Sequence, residues 1–367
     1  MHQRVQGVNV LTSRDVTVVG GGLIGLSCAA ALVARGITVT LVAGERAGEA
    51  SPAAAGMLAP SVEAAAGPAH RFAVAARDRY PSFLTAIEEA TGVAVPSLRN
   101  GILELALTAG DAERHSAALP RSATWLGPRE LAKLEPALAD AAGAALHPDD
   151  GAVDNVILLD ALRRLLGASR AVRLLREDVT EIRAASPRPA ARTAGGEWIE
   201  SATLVLAAGA WVGELRGVPT RLPVSPLRGQ MLALAGRPLS HVTFGPAAYA
   251  VPRGDGTVVG STMEAVGFRP GTTPEGLASL LDGAAGISPA LGLLPQRAAW
   301  SGLRPVTPDF LPIIDVEPSH PGIIYACGHS RNGVLLAPIT GDCVAAMVAG
   351  EEPPHDITPF SIGRFAR

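Results

Sequence analysis

Apolar positions fall into short blocks whose spacing changes from strand-like to helix-like and back several times along the chain. Asp15 to Val19 reads as a short buried strand that runs directly into Gly20. Leu26 to Gly36 is a small-residue helix, and Ile37 to Ala43 is a β-branched second strand. A helical region then carries Phe72, Tyr80, Phe83, Leu84 and Ile87, followed by an apolar strand between Gly101 and Leu107 and by polar helices rich in Ala, Glu and Arg. From about Asn155 an amphipathic helix is predicted, with Leu158, Leu159, Leu162, Leu165 and Leu166 on one face. Strands are expected at Arg173–Ile182 and Trp198–Leu206, the latter ending in a small-residue turn around Ala208 and Gly209. Leu227–Leu234, Tyr249–Thr262 and the segment around Trp300 add strands joined by Gly-Asp-Gly and proline turns, which fits an antiparallel sheet. The chain closes with a buried strand over Gly322–Gly328 and a helix over Leu335–Gly350.

This order predicts an α/β protein: a Rossmann-like nucleotide-binding domain interleaved with a second, antiparallel-sheet substrate domain. The first is drawn over 14–60, 145–220 and 301–351, and the second over 61–144 and 221–300. Residues 1–13 are polar and unpatterned and are expected as a flexible tail, with 352–367 as a C-terminal tail.

Two turns carry the candidate chemistry. Gly20, Gly22 and Gly25 form GxGxxG between a strand and a helix, which permits in turn a tight bend, close approach of a pyrophosphate and close helix–sheet packing. The acidic residue that should end the second strand and bind ribose hydroxyls is missing, because Ala43 stands there. Glu45 is the nearest carboxylate, and it either reaches the ribose or is a solvated loop charge. The second turn, GHSRNGVLLAP from Gly328 to Pro338, aims Arg331 out of a strand–helix junction, where backbone N–H groups and the helix dipole favour an anion. Arg304 lies close upstream in SGLRPVTPD, and two arginines beside one such turn point to a carboxylate next to a cofactor. An inter-domain ion pair is the alternative for Arg304, and phosphate neutralisation or a carboxylate cap the alternative for Arg331. His329 adjoins the turn, but a histidine bonded to backbone is the simpler reading and no catalysis is assigned to it.

Composition narrows the classes. The chain has 367 residues, 48% hydrophobic and 18% charged, with a net charge of −3 and scattered arginines, so nucleic acid is not an expected partner. No apolar run reads as a bilayer span, and no membrane partner is expected. Cys28, Cys327 and Cys343 sit in apolar segments without CxxC spacing and read as buried thiols, which favours the cytoplasm. The eight histidines are spread singly, so no metal site is expected.

The chain resembles the D-amino-acid-oxidase-like flavoproteins, and within them the glycine oxidases of thiamine biosynthesis. The resemblance is carried, in order, by GGGLIG, AAAGMLAP, LAAGAW, LRGQM, YAVPR, GSTME, SGLRPVTPD and GHSRNGVLLAPITG. It implies FAD, with its pyrophosphate at Gly20, Gly22, Leu23, Ile24 and Gly25. Its ring would lie against Ala55, Gly56 and Met57 and the final turn with Asn332, Gly333 and Val334, beside the Ala208–Gly209 turn. Arg304 is implied as the carboxylate clamp, Tyr249 as its hydrogen-bonding helper, Met263 as pocket lining and Arg331 as a residue near the mouth. Members that bind FAD covalently use a cysteine near SGLRPVTPD; none stands there, so non-covalent FAD is expected. Besides Ala43, the chain departs from the pattern at Pro52, Ser330, Phe310 and Asp315, and Phe310 and Asp315 are expected to flank the ring-side loop.

The implied reaction is oxidation of glycine or a similarly small amino acid to the imine, with oxygen reduced to hydrogen peroxide, in a homo-oligomeric enzyme. Two alternatives stay open: a sarcosine or D-amino-acid oxidase or dehydrogenase of the same family, and a flavin-poor binding protein, motivated by Ala43.

Overall fold

The computed structural model describes residues 15–63, 67–138, 140–185 and 188–366. The tail expected over 1–13 lies outside the described residues. A six-stranded sheet has the order Ile313–Val316, Ile323–Cys327, Thr203–Leu206, Asp15–Val19, Thr38–Val42, Val172–Leu175. All neighbours are parallel except the Ile313–Val316 edge, which forms an antiparallel hairpin with Ile323–Cys327. Its strands are nearly continuous Val, Ile and Leu because both faces are covered. Helices Leu23–Ala34, Asn155–Ala168 and Gly333–Ala349 cover one face together with Pro68–Thr91. The other carries a three-stranded antiparallel sheet, Val179–Arg183, Ala190–Thr193 and Trp198–Glu200.

An eight-stranded sheet has the order Gln296–Val306, Ser225–Leu234, Gly256–Gly260, Tyr249–Arg253, Val242–Phe244, Ile102–Ala106, Gly143–His147, Thr124–Leu126. It is antiparallel but for one parallel pair, Val242–Phe244 with Ile102–Ala106, where the chain's early and late segments meet. Two drawn boundaries fall inside strands of this sheet: 144/145 cuts Gly143–His147 and 300/301 cuts Gln296–Val306.

Several local expectations change. The single strands expected over Arg173–Ile182 and over Trp198–Leu206 are each two strands in different sheets, with Arg176–Asp178 turning between the first two and Ser201–Ala202 between the second. The expected C-terminal tail is packed: Phe360 is buried against Phe72, and Ile362 is buried beside it in sequence. Asp315 fixes this segment by accepting bonds from Ser361 Oγ at 2.6 Å and from the Ile362 N–H at 2.8 Å. It therefore faces the C-terminal segment, not a ring-side loop. Finally, Ser330–Ala349 is long and apolar enough to cross a membrane, with a mean hydropathy of 1.5, contrary to the reading of the sequence. In the fold it is a core helix, 67% buried, packed on Leu23–Ala34.

Candidate active site

The carboxyl ends of the parallel strands open onto a crevice, the usual ligand position in such sheets. A cavity of 720 Å³ runs from there to the eight-stranded sheet. The Gly20–Gly22 turn, Ala208–Gly209, Ala55–Met57 and the final turn from Gly328 to Val334 all line it. Gly20 has a φ of 120°, and a Cβ there would lie 2.2 Å from the Ala207 carbonyl oxygen, so only glycine makes this bend. Two helices, Leu23–Ala34 and Gly333–Ala349, start at the cavity wall, and neither has an acidic residue in its first turn. Their positive ends are thus left for a bound anion.

Leu23 and Gly25 stand apart from the other motif residues. The Leu23 side chain is buried in the core, and its N–H donates to Ser51 Oγ at 2.9 Å. Gly25 packs on the chain itself: a Cβ there would lie 1.9 Å from the Gly20 carbonyl oxygen. Both shape the turn without lining the cavity.

At the other end of the cavity Arg304 projects from the Gln296–Val306 strand. Its Nη1 donates to the Thr262 carbonyl at 3.1 Å and its Nη2 to Ser261 Oγ at 2.5 Å. Among the described residues it has no carboxylate partner, so the ion-pair alternative is not realised. The Ser261–Thr262 support is itself tied down. Thr262 Oγ1 donates to Glu264 at 2.5 Å, Gln230 Nε2 donates to Glu264 at 2.7 Å, and Arg228 pairs with the same carboxylate. Burial works to raise the Glu264 pKa, but those three bonds outweigh it and hold the group below the ordinary value.

Gly229 and Gly260 make room for the polar groups. A Cβ on Gly229 would sit 2.2 Å from Arg304 Nη1, and one on Gly260 would sit 2.4 Å from the Tyr249 hydroxyl. Tyr249 lines the cavity with its ring stacked on Phe244 at 5.8 Å between centroids. Met263 lines it too but is 58% exposed, which places it at the mouth. Arg331 is also exposed at the cavity edge. Phe310 lines the cavity and is half-exposed with a φ of 61°, and Ser330 lines it with a φ of 51°. Both occupy a backbone region that favours glycine. Pro52 faces a separate, shallow groove.

His329 lies on the cavity wall with Nε2 3.1 Å from Thr340 Oγ1, so its partner is a side chain, not backbone. Complete burial pushes its pKa down from 6.5 to about 3, which keeps the ring neutral. The unfolded chain binds a proton here below about pH 6.5, whereas the folded chain refuses one until about pH 3. Stability contributed by this site should therefore be full above pH 6.5 and decline as pH falls through that window. Thermal melts of wild type and His329→Gln across the window should show a shallower decline in the variant; equal slopes would refute this.

The family model for FAD-dependent oxidoreductases of the DAO type matches residues 15–347. The chain belongs to this family. Among its DAO relatives is the bifunctional protein ThiO/ThiG of Synechocystis sp., 38% identical over 96% of this chain and 54% of that protein. The chain thus spans about half the length of the ThiO/ThiG relatives it matches. Glycine oxidase of Geobacillus kaustophilus is 33% identical over 95% of this chain and 97% of that one. The crystal structure of glycine oxidase from Geobacillus kaustophilus superposes with a TM-score of 0.88, at 32% identity, covering 96% of this chain and 99% of that one. Iminodiacetate oxidase from Chelativorans sp. gives a TM-score of 0.85 at 25% identity, covering 94% and 98%.

The residues present in this DAO-family chain fit FAD. The glycine turn, two helix N-termini without an acidic first turn and an apolar wall around Ala55–Met57 share one cavity with Arg304, which has no carboxylate partner among the described residues. Cys327, the one cysteine on that wall, is buried, and burial pushes its thiol up to about 12, well away from the reactive thiolate. Glu45 does not join the site: it is exposed and faces the shallow groove that also holds Pro52. The strand ends at Val42, and the chain turns away at Gly44 before Glu45 is reached. Glu49, Glu177 and Asp178 do line the cavity, the last two from the turn between the strands Val172–Leu175 and Val179–Arg183. Alternation of side chains gave no signal for them, because they lie in a connection and not in a periodic element.

Proposed function

We propose that the chain oxidises glycine, or an amino acid of similar size, at the bond between the α-carbon and the amine. Arg304 carries this reading: a guanidinium inside the cavity, braced by neutral oxygens and lacking a carboxylate partner among the described residues, is built to receive one. Tyr249, which lines the same cavity, supplies a hydroxyl for the same carboxylate. Holding the substrate by this end fixes the α-carbon, and fixed orientation accounts for much of the rate. The cation also disfavours a nearby ammonium and so favours the neutral amine, whose lone pair must drive the oxidation. His329, a weak base because burial pushes its pKa down to about 3, and already bonded to Thr340, is not assigned as a base, and with the amine neutral none is required.

Bound non-covalently, FAD would supply the two-electron acceptor for this oxidation, with oxygen as the final acceptor and hydrogen peroxide as the product. The amine loses two hydrogens overall and leaves as the imine, which hydrolyses or is passed on. The ThiO/ThiG and glycine oxidase names support a place in thiamine thiazole synthesis. Three buried free thiols support a reducing, cytoplasmic setting.

The test is an anaerobic titration of purified protein with glycine, following flavin absorption, with sarcosine and D-alanine in parallel. Bleaching by glycine and recovery of colour with peroxide on readmitting air are the expected results. Bleaching by another amine alone would move the substrate, and a colourless protein that FAD cannot reconstitute would overturn the enzyme reading.

A further inference from the structure

The second strand ends without the carboxylate that a nucleotide-binding βαβ unit places against a ribose. Position 43 still faces the glycine turn, since a Cβ on Gly21 would lie 2.6 Å from the Ala43 Cβ. The neighbouring strand Val172–Leu175 runs parallel to Thr38–Val42, with Leu175 level with Val42, and the Leu175 carbonyl takes the Ala43 N–H at 2.9 Å. The turn after Leu175 is therefore delivered to the same edge of the sheet. Asp178 stands in that turn and lines the cavity. Its carboxylate fills the space that a side chain at Gly44 would need, with Oδ1 2.3 Å from an ideal Cβ there.

This carboxylate is held from both sides. Its own carbonyl accepts the Ala194 N–H at 2.8 Å, which pins the turn to the three-stranded sheet. Arg46 Nε lies 2.9 Å from Oδ1, and the Arg46 guanidinium rests over the Trp211 ring at 5.3 Å. Among the described residues no donor is bonded to Oδ2. The two other carboxylates on this part of the wall are already engaged: Glu177 accepts the Gly195 N–H at 2.9 Å, and Glu49 accepts the Arg46 N–H at 3.1 Å.

We propose that Asp178 replaces the missing strand-end carboxylate and accepts hydrogen bonds from the adenosine ribose of FAD, with Arg46 and Trp211 as positioning residues that hold it. The inference rests on the FAD site described above. It predicts a carboxylate–ribose contact that arrives from a strand pairing and not from the βαβ unit.

The test uses the full-length protein, stripped of flavin and titrated with FAD by fluorescence quenching, then with ADP and 2′-deoxy-ADP as competitors. Wild type should bind FAD, and should bind ADP roughly tenfold or more tightly than the deoxy analogue. Asp178→Ala should weaken FAD by roughly ten- to hundredfold and abolish the preference for ADP. Adding Ala43→Glu to that variant should restore the preference. A preference unchanged in Asp178→Ala, or one lost in Glu49→Ala instead, would overturn the assignment. Failure of wild type to bind FAD would reject the cofactor site itself, which keeps the two readings separate. Circular dichroism of each variant guards against misfolding.

Discussion

Replacing Arg304 with alanine is expected to lower kcat/KM for glycine by about 2–4 kcal/mol, roughly 30- to 900-fold. A carboxylate moved from water into the cavity would lose the guanidinium that receives it, and an unpaired buried charge costs more than the pair itself contributes. The loss should fall on both KM and kcat, because the same grip that binds the substrate also fixes the α-carbon. Flavin content should stay intact, since Arg304 sits at the far end of the cavity from the glycine turn. Arg304→Lys should recover little, because an ammonium cannot bond the Thr262 carbonyl, the Ser261 hydroxyl and a carboxylate with the geometry of the planar fork. Steady-state kinetics at matched flavin content checks this, and an unchanged kcat/KM would end the clamp assignment.

Gly229→Ala should cost roughly 10- to 100-fold in kcat/KM while leaving the fold nearly untouched. The strand accepts alanine, and the three atoms nearest the new Cβ all belong to the end of a flexible side chain: Nη1, Nη2 and Cζ of Arg304 lie 2.2, 2.3 and 2.4 Å from it. The guanidinium must move by more than an ångström to escape, and Thr262, whose carbonyl braces it, is itself held through its hydroxyl by the Gln230 N–H and Glu264. Stability is thus preserved at the expense of the clamp. The sharp check is a double-mutant cycle, in which Gly229→Ala should add almost nothing to Arg304→Ala. Additive losses would mean that Gly229 acts through something other than Arg304.

Much of the fold was legible because local chemistry repeats with a short period. Alternating or continuous apolar runs marked the strands at Asp15, Gly322 and Tyr249, and the leucine face from Leu158 to Leu166 marked its helix. The glycine turn was legible because a φ near 120° at Gly20 excludes other residues, so the constraint is written directly in the sequence. Arg304 was legible from the residues as half of an arginine pair for a carboxylate, whereas its role as the clamp and that of Tyr249 as helper came only through the resemblance, because nothing periodic marks which arginine of a pair enters a cavity.

What only the tertiary structure decided are the relations between distant segments. Which side of the strand end Glu45 takes depends on where the chain turns after Val42. That Asp178 reaches the end of the second strand at Gly44 depends on Val172–Leu175 pairing with Thr38–Val42, some 130 residues apart. That Gly229 must be glycine depends on its register with the Arg304 strand, and that Asp315 anchors Ser361 depends on the C-terminal segment folding back. Periodicity determines which face of an element is apolar, but sheet order and register are set by the packing of all the faces together. The sequence alone thus determined most of the elements, the glycine turn and the resemblance to the family; the tertiary structure decided how the remaining strands divide between sheets and which charges share the cavity.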